Sequence, residues 1–215
     1  MSKMRYNIYT VVFAATLGLV CALLLTAATQ VTRTKQEENK KAEEIRNILT
    51  ALKAPFDSQA GADELITIFE RNVVEQSLGK KDPLTLYVYK PEGSDEIVAV
   101  AVRFIGPGLW GPIKGFLALE PDYKTIRGVT FYEQEETPGL GGEIVTEDFC
   151  SRFEGKQIAN EQNEWGVDIM IVSGEQVGVN KISGISGATM TCDKVQEMMN
   201  AIIETLAEKR GADGR

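Results

Sequence analysis

Leu84-Thr-Leu-Tyr-Val-Tyr89, Ile97-Val-Ala-Val-Ala-Val-Arg-Phe-Ile105, Ile113-Lys-Gly-Phe-Leu-Ala-Leu119 and Thr125-Ile-Arg-Gly-Val-Thr-Phe-Tyr132 are the segments whose reading decides the fold. Each is short, rich in β-branched and aromatic residues, and bounded by proline or glycine, which is the pattern of successive strands. Pro91-Glu92-Gly93-Ser94 is a hairpin turn signal between the first two. No βαβ alternation appears, which argues against a doubly wound parallel sheet. The fold class is α+β, a mostly antiparallel sheet with flanking helices.

Outward from these strands the period changes to that of helices. Upstream, Leu65, Ile66, Phe69 and Val73 line one side of a helix expected over Ala62 to Gln76, with Glu64, Glu70 and Arg71 on the other. Before it, Lys35 to Leu52 is helix-prone, with Ile45, Ile48, Leu49 and Leu52 as an apolar stripe, and Ala54-Pro55-Phe56-Asp57 breaks it. Downstream, Asp148 to Phe153 reads as one or two helical turns. Val167 to Val172 and Gln176 to Ile182 read as two more strands joined at Ser173-Gly174-Glu175. Val195, Met198, Met199, Ile202, Ile203 and Leu206 then mark a long amphipathic helix.

The N-terminal segment differs from all of this. Tyr6 to Thr32 carries no charged side chain, and Ile8 to Ala28 is almost unbroken in apolar character. Roughly 20 such residues cross a bilayer core, whereas the apolar part of a signal peptide runs to only about 7–15. An uncleaved transmembrane anchor is expected. Lys3 and Arg5 flank it on one side and Arg33, Lys35, Lys40 and Lys41 on the other, so charge counting leaves its orientation open. The expected organisation is an anchor over 1–33, a helical stalk and packing helix over 34–80, and an α+β domain over 81–215.

The 215 residues carry a formal net charge of −8. Every acidic residue, and every basic one except Lys3 and Arg5, follows the anchor, so the remainder is strongly acidic. That argues against nucleic acid and anionic lipid as partners. Histidine is absent, which removes the usual general base and the commonest metal ligand, and with them Ser-His-Asp hydrolysis. No residue is assigned a catalytic or metal-binding role. Of the three cysteines, Cys21 lies in the anchor; Cys150 and Cys192 accord equally with a disulfide and with two free thiols.

Three glycine-rich segments carry the chemistry. Ser186-Gly187-Ala188-Thr189 sits where a turn enters the last long helix, gathering the hydroxyls of Ser186, Thr189 and Thr191 near free backbone N–H groups. A helix N-terminus of this kind favours an anion, with phosphate the natural candidate, although a plain helix cap uses the same residues. Gly106 to Pro112 places three glycines and two prolines around Leu109 and Trp110. Thr137-Pro138-Gly139-Leu140-Gly141-Gly142-Glu143 does the same around Leu140. Glycine permits close backbone approach to a flat ligand and the apolar tips offer contact surface. Two tight surface turns would have the same composition. Neither segment is a Rossmann fingerprint or a P-loop.

Taken together, these segments resemble a known family. Ser183-Gly184-Ile185-Ser186-Gly187-Ala188-Thr189 resembles the flavinylation motif of membrane-anchored FMN-binding domains, with Ser183 where many such motifs have Asp. Gly106 to Asp122 and Phe131 to Ile144 resemble the C-subunit family of Na⁺-translocating NADH:quinone oxidoreductases, and the order of anchor and loops extends the likeness over nearly the whole chain. The resemblance implies FMN held by a phosphoester to Thr189, placed there by a flavin transferase. Ser186, Gly187, Ala188, Thr191, Leu109, Trp110, Thr137, Gly139, Leu140 and Glu143 are then expected around the flavin. It further implies an electron-relay subunit of a six-subunit inner-membrane complex coupling NADH oxidation and ubiquinone reduction to Na⁺ export, with a single-pass anchor and a periplasmic soluble domain. The G subunit of Rnf-type ferredoxin:NAD⁺ oxidoreductases shares the attachment chemistry and is the nearest alternative. A membrane-anchored binding module without flavin is the alternative of a different class. A free-standing flavin reductase is disfavoured, since nothing here resembles a nicotinamide site.

Overall fold

The computed structural model describes residues 2–79, 82–170 and 178–212. It divides into two units, Met1–Lys41 and Ala42–Arg215. Helix α1 spans Ser2–Ala51. Within it Ile8–Arg33 is long and apolar enough to cross a membrane, with a mean hydropathy of 2.5 in its most apolar stretch. The expected boundary at residue 34 therefore falls inside one continuous helix, and the compact α+β unit begins at Ala42.

That unit is built on an antiparallel sheet of five strands in sequence order: β1 (Val73–Leu78), β2 (Leu84–Tyr89), β3 (Ala99–Pro107), β4 (Pro112–Leu119) and β5 (Ile126–Glu133). Four of them occupy the segments read as strands. The fifth replaces the end of the expected helix over Ala62 to Gln76, because α2 (Ala62–Asn72) stops at Asn72 and the chain turns straight into β1. Val73 and Val74 are β-branched and pair with Tyr89 and Val88. Cross-strand packing outweighs the weak helical register there.

Both faces of the sheet are buried, which explains why β3 reads as a nearly continuous apolar run. Ala99, Ala101, Phe116 and Ala118 face Ile45, Ile48, Leu49 and Leu52 of α1 and Leu65 of α2. Val100, Val102, Phe104, Leu117 and Phe131 face Val195, Met199 and Ile203 of the last helix, α4 (Thr189–Ala212). On the α1 side the approach is close. A Cβ on Gly128 would lie 2.6 Å from the Ala51 carbonyl oxygen, and Arg127 Nε donates to the Leu52 carbonyl at 2.7 Å. The end of α1 is thus satisfied by β5 rather than by water.

After β5 come a 3₁₀ turn (Gly141–Val145), α3 (Glu147–Ser151), and a parallel pair of short strands, β6 (Asp168–Met170) and β7 (Lys181–Ser183). Thr146 caps α3, its hydroxyl accepting from the Phe149 N–H. The link expected at Ser173-Gly174-Glu175, with residues 171–177 around it, lies outside the described residues.

Gly115 sits at a register shift between β4 and β5, where an added Cβ would lie 2.2 Å from the Thr130 carbonyl oxygen and 2.3 Å from the Phe104 ring. Replacement by alanine is expected to destabilise the domain by about 1–3 kcal/mol, the usual cost of overpacking. Urea denaturation followed by circular dichroism measures this; an unchanged midpoint would show that the bulge relaxes freely.

Candidate functional site

Thr189 is the first residue of α4 and is exposed to solvent. The turn before it is held by backbone bonds: Gly184 N–H donates to the Met170 carbonyl at 2.8 Å, and Ala188 N–H to Ile185 at 3.1 Å. Gly187 has φ of 81°, the left-handed region that a side chain would strain. Upstream, Arg152 donates to the carbonyls of Ser183 at 3.1 Å and Gly184 at 2.7 Å while pairing with Asp148. A backbone anchored on both sides thus presents the Thr189 hydroxyl to the cleft, and among the described residues no hydrogen bond engages it.

The sheet brings the two glycine-rich loops to the same place. Antiparallel pairing of Pro107 with Pro112 makes Gly108 to Gly111 the tip of the β3–β4 hairpin. Pairing of Lys114 with Glu133 brings the end of β5 to the same edge. Glu136 follows three positions on and is buried, with 4% of its surface exposed. Its Oε1 accepts from the N–H of Leu109 at 2.7 Å and of Trp110 at 3.3 Å; its Oε2 accepts from the Thr191 hydroxyl at 2.6 Å. One carboxylate therefore joins the hairpin tip, the second loop and the first turn of α4.

These bonds give the glycines another reason. A Cβ on Gly108 would lie 2.5 Å from Glu136 Oε1, and one on Gly141 would lie 2.4 Å from the Thr191 hydroxyl oxygen. Gly106 faces Met198 of α4, whose Cβ would be 2.8 Å from an added Cβ. These three make room for protein groups rather than for a ligand.

A cleft of about 260 Å³ remains over Thr189. Of the residues chosen from sequence it gathers Leu109, Thr137, Leu140, Gly187, Ala188, Thr189 and Thr191, and it adds Glu136, Gly141 and Met190. Leu109, Leu140 and Met190 are exposed apolar side chains at its rim. No Lys or Arg lines it among the described residues, so an anion there is held by the backbone N–H groups that open α4.

Five of the expected residues are placed differently. Thr191 is 1% exposed and its hydroxyl proton goes to Glu136, so it does not serve a phosphate. Glu143 closes its own loop, accepting from the Gly139 N–H at 3.0 Å, and neither residue lines the cleft. Trp110 contributes its N–H to Glu136, and its side chain is 71% exposed and does not line the cleft. Ser186 is exposed beside the cleft rather than lining it. Glu136 escaped the reading of the sequence; an acidic pair, Glu135-Glu136, directly before Thr137-Pro138 was its only signal.

Comparison with known proteins follows the same geometry. Residues 108–204, which span both loops and the acceptor turn, match the family model described as FMN-binding domain. The C subunit of the Na⁺-translocating NADH-quinone reductase of Haemophilus ducreyi is 28% identical over 85% of this chain and 84% of that protein. Its counterpart in Vibrio alginolyticus is 37% identical over 52% of this chain and 44% of its own length. The crystal structure of Shewanella oneidensis NqrC superposes with a TM-score of 0.64 at 25% identity, covering 75% of this chain and 91% of that one. The corresponding protein from Parabacteroides distasonis gives 0.66, also at 25% identity, over 79% and 92%. The stretch 108–204 is thus similar to FMN-binding domains. Over most of its length, the chain is similar to C subunits of Na⁺-translocating NADH-quinone reductases.

Cys150 and Cys192 are free thiols. Cys192 Sγ accepts from the Ile185 N–H at 3.4 Å, helping to hold the acceptor turn. Burial, reinforced by Glu154, pushes the Cys150 thiol from its ordinary 9.0 up to about 12. At pH 8 it is protonated, and Ellman's reagent is expected to leave it unmodified in native protein carrying Cys21→Ser, reacting only after denaturation. Because the unfolded thiol ionises first as pH rises, the stability this group contributes is full below about 9 and is lost progressively towards 12. Native reactivity matching that of the denatured chain at pH 8 would contradict this.

Proposed function

We propose that this chain carries FMN esterified through its phosphate to Thr189 and acts as an electron-transfer subunit of a Na⁺-translocating NADH-quinone reductase. The observation that carries the reading is the free Thr189 hydroxyl at the mouth of α4, facing a cleft bounded by both glycine-rich loops. Attachment draws FMN from FAD: the threonine oxygen bonds to the FMN-side phosphorus, the pyrophosphate bond breaks, and AMP leaves. In this reading a flavin transferase catalyses the step, as the resemblance of the acceptor motif implies; among the described residues no lysine or arginine lines the cleft.

The residues fit the group. The diester keeps one negative charge, which the start of a helix favours by about 0.3–1 kcal/mol. Leu109, Leu140 and Met190 supply apolar surface at the rim. The cleft falls below the roughly 300–1,000 Å³ of pockets that enclose a drug-sized ligand, so a flavin there is partly exposed, as exchange with a neighbouring protein requires. Bound FMN supplies the electron chemistry; the protein supplies position and electrostatics.

In this reading Ile8–Arg33 anchors the chain in the inner membrane with the remaining domain on the periplasmic side, beside its neighbours in a complex of six subunits. Covalent attachment then keeps in place a cofactor that dilution would otherwise remove.

The full chain produced with a flavin transferase is expected to stay yellow after acid precipitation and to gain the mass of one FMN less one water. Thr189→Ala is expected to abolish both, as read by intact-mass spectrometry. Covalent flavin retained in full by that variant would remove the assignment.

A further inference from the structure

Glu136 has no role in the chemistry above, yet it is the buried carboxylate to which three segments converge. Among the described residues its partners are two backbone N–H groups and one hydroxyl, with no cation. Burying a charge without a counter-ion is costly, and apolar residues of similar shape commonly match or exceed such a group in stability. Nor does α4 need it for docking. Val195, Met199 and Ile203 already bury that helix against the sheet. What the carboxylate adds is confined to the first turn of α4 and the loop above it.

The consequence for Thr189 is geometric. Thr191 lies two residues beyond the acceptor on that first turn, and Leu109, from the β3–β4 hairpin, lines the same cleft. Oε2 holds the first and Oε1 the second, across 55 and 27 residues of sequence. The separation between acceptor and hairpin is therefore set through one side chain. Gly108 and Gly141 have no space for a Cβ because of these same contacts.

We propose that Glu136 is the positioning residue of the attachment site: through Thr191 and the Leu109 N–H it fixes the opening across which the Thr189 hydroxyl meets the incoming phosphate. This rests on the reading of Thr189 as the flavin acceptor. The carboxylate touches neither phosphate nor flavin in this role; it acts through the two segments it joins.

The test uses the full chain in detergent, with a flavin transferase and FAD, following covalent FMN by in-gel fluorescence and intact mass. Glu136→Gln and Thr191→Val are each expected to lower the attachment rate at saturating transferase at least tenfold, with circular dichroism unchanged. Thr191→Ser, which keeps the hydroxyl, is expected to restore most of the rate. In Glu136→Gln the amide proton resonances of Leu109 and Trp110 are expected to move upfield, since a carboxylate acceptor has become a neutral amide. A loaded wild type together with undiminished rates in both variants overturns the proposal alone. A wild type that takes no covalent FMN overturns the acceptor assignment and this proposal with it. Unfolding of both variants assigns Glu136 to the stability of the fold and also overturns it.

Discussion

An antiparallel sheet buried on both faces is the constraint from which the rest of this domain follows. The central strands must present apolar residues to two helical layers, so β3 alternates alanines towards α1 with larger residues towards α4. Ala99, Ala101 and Ala118 let α1 come close, and Gly128 lets the end of that helix rest on the strand. On the opposite face, packing of α4 against β3 brings the first turn of the helix to the edge where the β3–β4 hairpin turns. The acceptor turn meets the loops because the two layers leave α4 no other place.

Polar chemistry then completes what apolar packing begins. Hydrophobic contacts locate α4 on the sheet, but they are indifferent to small movements of its first turn. Hydrogen bonds to Glu136 and from Arg152 are directional and act on the two stretches that flank Thr189. The turn is held by its surroundings while the Thr189 hydroxyl stays free and exposed, a combination that accords with the proposed modification of this residue.

Legibility from sequence follows the range of the interaction. Strands β2 to β5 and helix α4 were readable because their signals, alternation and helical spacing, are local. The end of α2 was not, since Val73 fits a helical stripe as well as a strand and only pairing with Tyr89 decides. Thr189, singled out by the likeness of its motif, and Leu109, Leu140 and Thr137, singled out by glycine-rich composition, come together at one cleft. Glu136 was not legible, because nothing local distinguishes a carboxylate that is buried and triply bonded from one in solvent. The role first expected of Thr191 failed for the same reason: its partner lies 55 residues away.

By itself the sequence determined the α+β class, the apolar N-terminal helix, the absence of histidine chemistry and the turn that opens the last helix. These depend on composition and on neighbours within one or two turns. Only the tertiary structure decided which glycines make room for Glu136 and Thr191, that the Thr191 hydroxyl is spent while that of Thr189 is free, and where the compact unit begins. Those answers require knowing which groups meet across the fold, and hydrogen bonds and close contacts between distant residues exist only once the sheet has brought them together.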